Sequence, residues 1–123
     1  MSQDPLTHKI IGCAIEVHKE LGPGLLESIY QQCLAYELQS QQLRFQSEHP
    51  LPVVYKGHAL NTNYRIDFIV EQQVIIELKA VDSINPIHKA QLLTYMKLTG
   101  VSKGLLINFN SAILKNGIYR FVL

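Results

Sequence analysis

Apolar residues recur at every third or fourth position in the N-terminal third of the 123-residue chain. This spacing places them on one face of a helix and predicts two consecutive helices. The first has Thr7 as its N-cap and ends at Gly22, and the second covers residues 25–42. Gly22 and Gly24 flank a proline, so a tight joint is expected between the two helices.

The pattern changes to that of β-strands after the second helix. Pro50 and Pro52 interrupt the first such segment, which predicts an edge strand or two short strands. Two further strands are predicted over residues 64–70 and 74–80, and the link 71–73 joins them. The second of these strands is apolar on both faces, which is typical of a strand at the centre of a sheet.

A third helix is predicted to begin with Asn85 as its cap and Pro86 in its first position, and to end before Gly100. Two strands over residues 103–109 and 117–123 complete the chain. A strand, a helix and a strand in this spacing imply a right-handed crossover and two parallel neighbours. The sequence therefore predicts an α/β fold in which helices pack on a mixed sheet of four or five strands.

Four charged residues stand where the two central predicted strands should be apolar: Arg65, Asp67, Glu77 and Lys79. If residues 71–73 form a three-residue hairpin loop, Asp67 lies directly opposite Glu77 on the neighbouring strand. Their Cβ atoms would then be about 4.5–5.5 Å apart, and like charges in that position destabilise a sheet. A loop with one residue more or fewer would move Asp67 to the other face, so the inference depends on the loop length.

Three arrangements would offset the repulsion between the two carboxylates. One carboxyl group could carry a proton, Lys79 and Arg65 could neutralise both carboxylates in a buried ion network, or a divalent cation could lie between them. Mg²⁺ prefers oxygen ligands, and it usually keeps several waters and takes one or two carboxylates together with substrate phosphate. Lys79 shares a face with Glu77 and would point toward a group held by that cation. This arrangement fits hydrolysis of a phosphodiester.

The composition changes this picture only by excluding some classes of protein. With 47% hydrophobic and 17% charged residues and no long apolar run, the chain is expected to be a single soluble domain, residues 1–123, without a membrane span. Its N-terminus lacks the features of a secretory signal, which favours a cytoplasmic protein, and Cys13 and Cys33 are interpreted as buried thiols. A net charge of +1 means that any phosphate-binding site must be local.

Asp67, followed ten residues later by Glu77, Leu78 and Lys79, resembles the D-x9-E-x-K form of the PD-(D/E)XK nuclease signature, with isoleucine in place of the proline. The segment GLLESIY, residues 24–30, reads as G-x-x-E-x-x-Y, and the chain resembles the GxxExxY protein family over nearly its whole length. Further segments that carry the resemblance are AIEVHKELGPG, IIELKAV, HKAQLLTYMKLTG and GLLINF. It implies a restriction-endonuclease-like core and a nuclease that uses Mg²⁺ or Mn²⁺.

The resemblance also implies a set of site residues. Asp67 and Glu77 would be metal ligands, the carbonyl oxygen of Leu78 a third, and Lys79 the catalytic lysine. Glu27 would correspond to the helix carboxylate that approaches the metal in several nuclease branches. Another interpretation of Glu27 is open, because a carboxylate in the first turn of a helix is favoured by the helix dipole and the free backbone amides.

Three accessory residues, which would bind the substrate or orient the site, follow from the same resemblance. Tyr30 could hold Glu27 or a phosphate through its hydroxyl group, although a tyrosine here could equally pack in the core. Gln91 and Tyr95 match the Q-x-x-x-Y motif of one nuclease branch, in which these residues orient the lysine or bind DNA. Their helical spacing places them in one stripe with Ile87 and Leu98, which we expect to pack on the sheet.

The resemblance favours DNA over RNA as the substrate. The near-neutral charge favours a protein partner, a homo-oligomer or a specialised substrate, because it gives little general attraction for nucleic acid. Two other interpretations stay open. The chain could be a nuclease-like module that binds nucleic acid or a partner protein without cutting, or a structural scaffold in which the four strand charges form an ion network.

Overall fold

The computed structural model describes residues 4–123. The first three residues, which belong to the predicted domain and to the N-terminal stretch without a secretory signal, lie outside the described range. Its helices are α1 (Pro5–Leu21), α2 (Glu27–Ser40), α3 (Pro86–Thr99) and a short 3-10 helix (Leu114–Gly117). Within residues 4–123, no helix has both the length and the apolar character that crossing a membrane requires.

The strands are β1 (Phe45–Pro50), β2 (Val54–Tyr55), β3 (His58–Ala59), β4 (Arg65–Val70), β5 (Val74–Lys79), β6 (Lys103–Asn108) and β7 (Ile118–Val122). Five of them form a mixed sheet at the centre of the fold, in the order β1-β4-β5-β6-β7. Strands β5 and β6 are parallel and are connected through α3, whereas the other neighbours in this sheet are antiparallel. Strands β2 and β3 form a separate hairpin. The predicted α/β architecture is confirmed.

Strand β5 is buried on both faces because helices cover the sheet from two sides. Val74, Ile76 and Leu78 pack with the buried residues of α1 and α2. Ile75 belongs to a second cluster that includes Leu92 of α3. Alternate side chains of β5 therefore pack in two separate hydrophobic clusters, one on each face of the sheet. The predicted central position of this strand is confirmed.

Helix α3 lies close to β6 because a glycine faces it. A Cβ atom added to Gly104 would lie 2.6 Å from Met96 Sδ and 3.2 Å from Leu92 Cδ1. Real side chains do not pack at the first of these distances, so the absence of a side chain lets α3 approach the sheet. The same packing sets the position of Gln91 and Tyr95, which α3 also carries.

The turn between β4 and β5 has the predicted length of three residues. Val70 pairs with Val74, Phe68 pairs with Ile76, and the backbone N–H of Gln73 donates to the carbonyl oxygen of Val70 at 2.9 Å. The intervening Glu71 and Gln72 both adopt left-handed backbone conformations, with φ of 53° and 57°. Residues other than glycine take this conformation at a cost, so the sheet register is maintained against local strain.

The ends of the helices differ in part from the prediction. Asp4, not Thr7, caps α1: its Oδ2 accepts the backbone N–H of Thr7 at 3.0 Å and the Thr7 hydroxyl at 2.8 Å, and Pro5 takes the first helical position. The cap lies three residues earlier because the threonine serves as a donor to the aspartate. Asn85, Pro86 and Gly100 occupy the predicted positions at the ends of α3.

Helix α2 is shorter than predicted and begins at Glu27, because Leu26 takes an extended conformation at the N-cap. Its buried residues are Tyr30, Leu34 and Leu38. The two cysteines, one on each of the first helices, are free thiols as interpreted from the sequence; Cys13 is buried and Cys33 is partly buried.

The substitution Gln72→Gly should stabilise the protein by roughly 0.5–1 kcal/mol, because glycine adopts the left-handed conformation without a Cβ penalty. Urea unfolding monitored by circular dichroism measures the change in the free energy of unfolding. The matched control is Gln73→Gly, one residue further along the same turn, where no positive φ occurs. We expect that control to lose stability; an equal gain in both variants would contradict the explanation.

Candidate functional site

Asp67 of β4 and Glu77 of β5 lie side by side, immediately beyond the Phe68–Ile76 pair of the ladder. Each carboxylate accepts a backbone amide from the strand that carries the other one. The N–H of Asp67 donates to Glu77 Oε2 at 2.9 Å, and the N–H of Leu78 donates to Asp67 Oδ2 at 2.8 Å. The three-residue turn therefore brings the two predicted carboxylates together, as the register requires.

Burial raises the pKa of both carboxyl groups. Glu77 is only 5% exposed, and burial followed by the negative charge of Asp67 raises its pKa to about 8. Burial is also the main cause at Asp67, whose pKa rises to about 6, and the charges of Glu27 and Glu48 raise it further. Both shifts have the same physical origin, since an ionised carboxylate loses solvation and faces other acids.

The buried ion network, one of the three arrangements that the sequence left open, is not formed. Among residues 4–123, no lysine or arginine nitrogen lies within 4.0 Å of either carboxylate. Arg65 is exposed, and its Nη1 donates to the carbonyl oxygen of Tyr64 at 3.2 Å, so the expected ion pair between Arg65 and Asp67 is not formed. Lys79 is half-buried and lowers the pKa of both acids through its charge at longer range. Protonation and a bound cation are the two arrangements that remain.

Glu27 is the first residue of α2, where the free amides of the helix favour a negative charge. Its own charge raises the pKa of both Asp67 and Glu77, so the side chain lies within electrostatic range of the pair. The two interpretations left open by the sequence are therefore compatible, because a carboxylate in the first turn of α2 also acts electrostatically on the pair.

Glu48 is a further acid at this site that the sequence reasoning missed. In the β1–β4 ladder it falls opposite Asp67, between the pairs Ser47–Phe68 and His49–Ile66. Its backbone is left-handed, with φ of 52°, and its Oε2 accepts the amide of Gln31 at 2.7 Å. Finding Glu48 from the sequence would have required the register of β1 against β4, which the two prolines made uncertain.

Tyr30 lies in the core and is fully buried, with its ring stacked on Phe109 at 4.6 Å between centroids. Its hydroxyl donates to the carbonyl oxygen of Gly22 at 2.6 Å and accepts the N–H of Leu25 at 3.1 Å. The expected hold on Glu27 or a phosphate is therefore replaced by bonds to the joint between α1 and α2. Tyr30 influences Glu27 only by fixing where α2 begins.

The stripe predicted on α3 is wrong in part. Ile87 is 70% exposed and Leu98 is 38% exposed, whereas the buried face consists of Leu92, Tyr95 and Met96. Because the helix is rotated relative to the prediction, Gln91 lies half-buried at the margin. Tyr95 is 4% exposed; burial, followed by the charge of Glu77, raises its pKa to about 12, which places it near the carboxylate pair.

The carboxylate oxygens of Asp67 and Glu77 are the side-chain atoms at this site that suit a divalent metal ion. Within residues 4–123, no group of three or more His, Cys, Asp and Glu side chains is arranged to hold a metal. Asp67 and Glu77 nevertheless present hard oxygen atoms that no Lys or Arg nitrogen of residues 4–123 approaches within 4.0 Å, and Mg²⁺ commonly takes one or two carboxylates with water and phosphate oxygens. The pair fits such a two-carboxylate site, while ligation by Glu27 or the carbonyl of Leu78 stays a prediction.

The comparisons with known proteins agree with this geometry. A family model described as the PD-(D/E)XK nuclease superfamily matches residues 4–121. The chain belongs to this superfamily, and its mixed five-stranded sheet flanked by helices is consistent with the restriction-endonuclease-like fold. No curated protein and no solved structure gives a significant match. Membership indicates a nuclease that binds nucleic acid, and nucleases of this superfamily generally use divalent metal ions.

The metal-free protein should lose stability as the pH rises. The pKa values of Asp67 and Glu77 are raised in the folded state, so the folded protein binds more protons than the unfolded chain between about pH 4 and pH 8. The contribution of this pair to stability is therefore fully present below about pH 4 and is lost as the pH rises through the two raised pKa values. We expect a fall of at least about 2 kcal/mol, measured by urea unfolding in EDTA at a series of pH values.

Asp67→Asn tests the cause of this pH dependence. The variant keeps an oxygen atom that accepts the amide of Leu78 but removes the charge beside Glu77. We expect a flatter pH profile and, at about pH 8, a metal-free protein at least as stable as the wild type. Asp82→Asn, an exposed aspartate beyond β5, is the control and should leave the profile unchanged. A strong destabilisation by Asp67→Asn alone would contradict the unneutralised pair.

Proposed function

We propose that this protein is a divalent-metal-dependent nuclease that hydrolyses phosphodiester bonds in DNA, with Mg²⁺ or Mn²⁺ as its cofactor. The observation that carries the proposal is the pair of Glu77, which is buried, and Asp67, which is half-buried, with no Lys or Arg nitrogen of residues 4–123 within 4.0 Å of either carboxylate. Repulsion in such a pair is relieved when a cation binds, and the superfamily supplies the class of reaction.

The residues around the pair have separate roles in this proposal. Asp67 and Glu77 hold the metal, together with the carbonyl oxygen of Leu78. A bound divalent ion polarises the phosphoryl group and lowers the pKa of a coordinated water. Lys79 follows Glu77 by two positions on the same strand, so its ammonium group orients the attacking water or stabilises the charge that develops on phosphate. Glu27 adds negative charge at the margin and helps to hold the metal through water.

The proposal extends to the finer family and to the extent of the domain. The G-x-x-E-x-x-Y motif supports membership of the GxxExxY family, because Glu27 begins α2 near the carboxylates and Tyr30 fixes that helix. We also propose that residues 1–123 form a single nuclease-like domain, since both helical layers pack on one five-stranded sheet.

Lys79→Ala should reduce cleavage by about 100-fold or more while leaving folding intact, because the variant lacks the ammonium group that stabilises negative charge in the transition state. The assay follows a labelled oligodeoxynucleotide, single-stranded and duplex, with Mg²⁺ or Mn²⁺ and with EDTA. Lys97→Ala removes a lysine from the last turn of α3, where the side chain is exposed, and should cleave like the wild type.

The same assay distinguishes the alternative function. A module that grips nucleic acid without cutting would bind the oligodeoxynucleotide in EDTA and show no cleavage with either metal. Equal cleavage by wild type and Lys79→Ala would point to a contaminating nuclease and would remove the support for the proposed site. Cleavage of the RNA version alone would keep the chemistry and correct the substrate.

A further inference from the structure

A groove of about 620 Å³ lies beside α3, on the side of the sheet that faces the segment after β1. This volume is within the range of about 300–1,000 Å³ that small-molecule sites usually have. The groove is lined by Leu51, Val53, Tyr64, Ile87, His88, Ala90, Gln91, Thr94, Tyr95 and Leu98.

The groove lies on the side of the sheet that carries Glu77. Ile75 and Glu77 share one face of β5, and Tyr95, which lines the groove, packs in the same buried cluster as Ile75. The charges of Glu77 and Asp67 also help to raise the pKa of Tyr95, which agrees with this placement. Tyr64 lines the groove as well, next to the residue at which β4 begins. A ligand in the groove would therefore be adjacent to whatever the carboxylates hold.

The lining has the chemistry of a site for a flat, uncharged ring. The rings of Tyr64 and Tyr95 meet edge to face, 6.3 Å apart at an angle of 70°, and Tyr64 remains 54% exposed. Gln91 contributes an amide with no hydrogen-bond partner among residues 4–123. The lining contains no Lys, Arg, Asp or Glu, and its one histidine, His88, accepts the backbone N–H of Asn85 through Nδ1 at 3.2 Å, so the groove offers little charge to a phosphate or another ion.

We infer that this groove binds the base of one unpaired nucleotide next to the phosphate held at the carboxylate pair. The inference rests on the proposed nuclease function and names its substrate class: single-stranded DNA, or DNA unpaired at the cleavage point. The exposed face of Tyr64 stacks on the base, and the free amide of Gln91 hydrogen-bonds to its edge.

A fully paired duplex does not offer what the groove needs. A paired base is stacked on both faces and uses its Watson–Crick edge, so it reaches Tyr64 only after leaving the helix, at a cost of a few kcal/mol. Tight binding of a duplex depends mainly on many cationic contacts to phosphate, which a net charge of +1 does not favour. An already unpaired base does not have to leave a helix, and its binding depends less on cationic contacts to phosphate.

Binding measurements in the non-cleaving Lys79→Ala background test this inference apart from catalysis. Fluorescence anisotropy with a labelled single-stranded oligodeoxynucleotide and its blunt duplex, in Mg²⁺ and in EDTA, should show tighter binding of the single strand. Tyr64→Ala should weaken single-strand binding by roughly 5- to 100-fold, the range expected for loss of one stacked base. Tyr64→Phe should bind like the parent, and Tyr36→Ala, which removes an exposed tyrosine of α2, is the matched control.

An abasic scan identifies the base itself. Moving one abasic nucleotide along the strand should weaken binding at a single position, and that loss should be smaller in Tyr64→Ala, because the stacking contact is already gone. Equal losses in both proteins, or tighter binding of the duplex, would overturn the inference even if cleavage is confirmed. A dimer that Tyr64→Ala converts to a monomer in sedimentation would also overturn it, by assigning the groove to a second copy of the chain. Single-strand binding through Tyr64, together with no cleavage by the protein that keeps Lys79, would support the groove and refute the nuclease.

Discussion

Two carboxylates held together inside a sheet, with no Lys or Arg of residues 4–123 paired to them, are the constraint on which the rest of this structure depends. Asp67 and Glu77 each accept a backbone amide of the facing strand, so they cannot move apart without losing these hydrogen bonds. The surroundings add to the repulsion, since Glu27 and Glu48 contribute further negative charge to Asp67. A protein under selection for stability alone would place apolar side chains at these positions.

The fold supplies the rigidity that this arrangement requires. The β4–β5 turn closes through two left-handed residues, Glu71 and Gln72, that are poorly suited to it. The adjacent strands are covered on both faces by cores that cooperate to maintain the register. Local strain at the turn and repulsion at the site are therefore balanced by the same packed layers, as is common where function and stability conflict.

Much of this could be predicted from the sequence, because it depends on periodicity. The parity of a three-residue turn was sufficient to oppose Asp67 and Glu77, and the order of helices and strands was sufficient for an α/β sheet. Features that depend on the rotation of a helix about its axis, or on the register between strands distant in sequence, were not predictable. The orientation of α3 depends on its close approach to Gly104, and Glu48 enters the site only through the pairing of β1. Lys79 could have neutralised the acids, and only its position in space excluded that.

The tyrosine of the G-x-x-E-x-x-Y motif has a consequence for how related sequences are interpreted. Tyr30 ties together the two ends of a glycine and proline joint and stacks on Phe109, so its role is to shape the polypeptide and not to touch a substrate. A search that relies on this motif selects proteins that share the joint between α1 and α2, whether or not they retain the carboxylate pair. Loss of Asp67 and Glu77, which lie outside the motif, would leave the joint intact, so a related sequence without the carboxylate pair would still carry the motif.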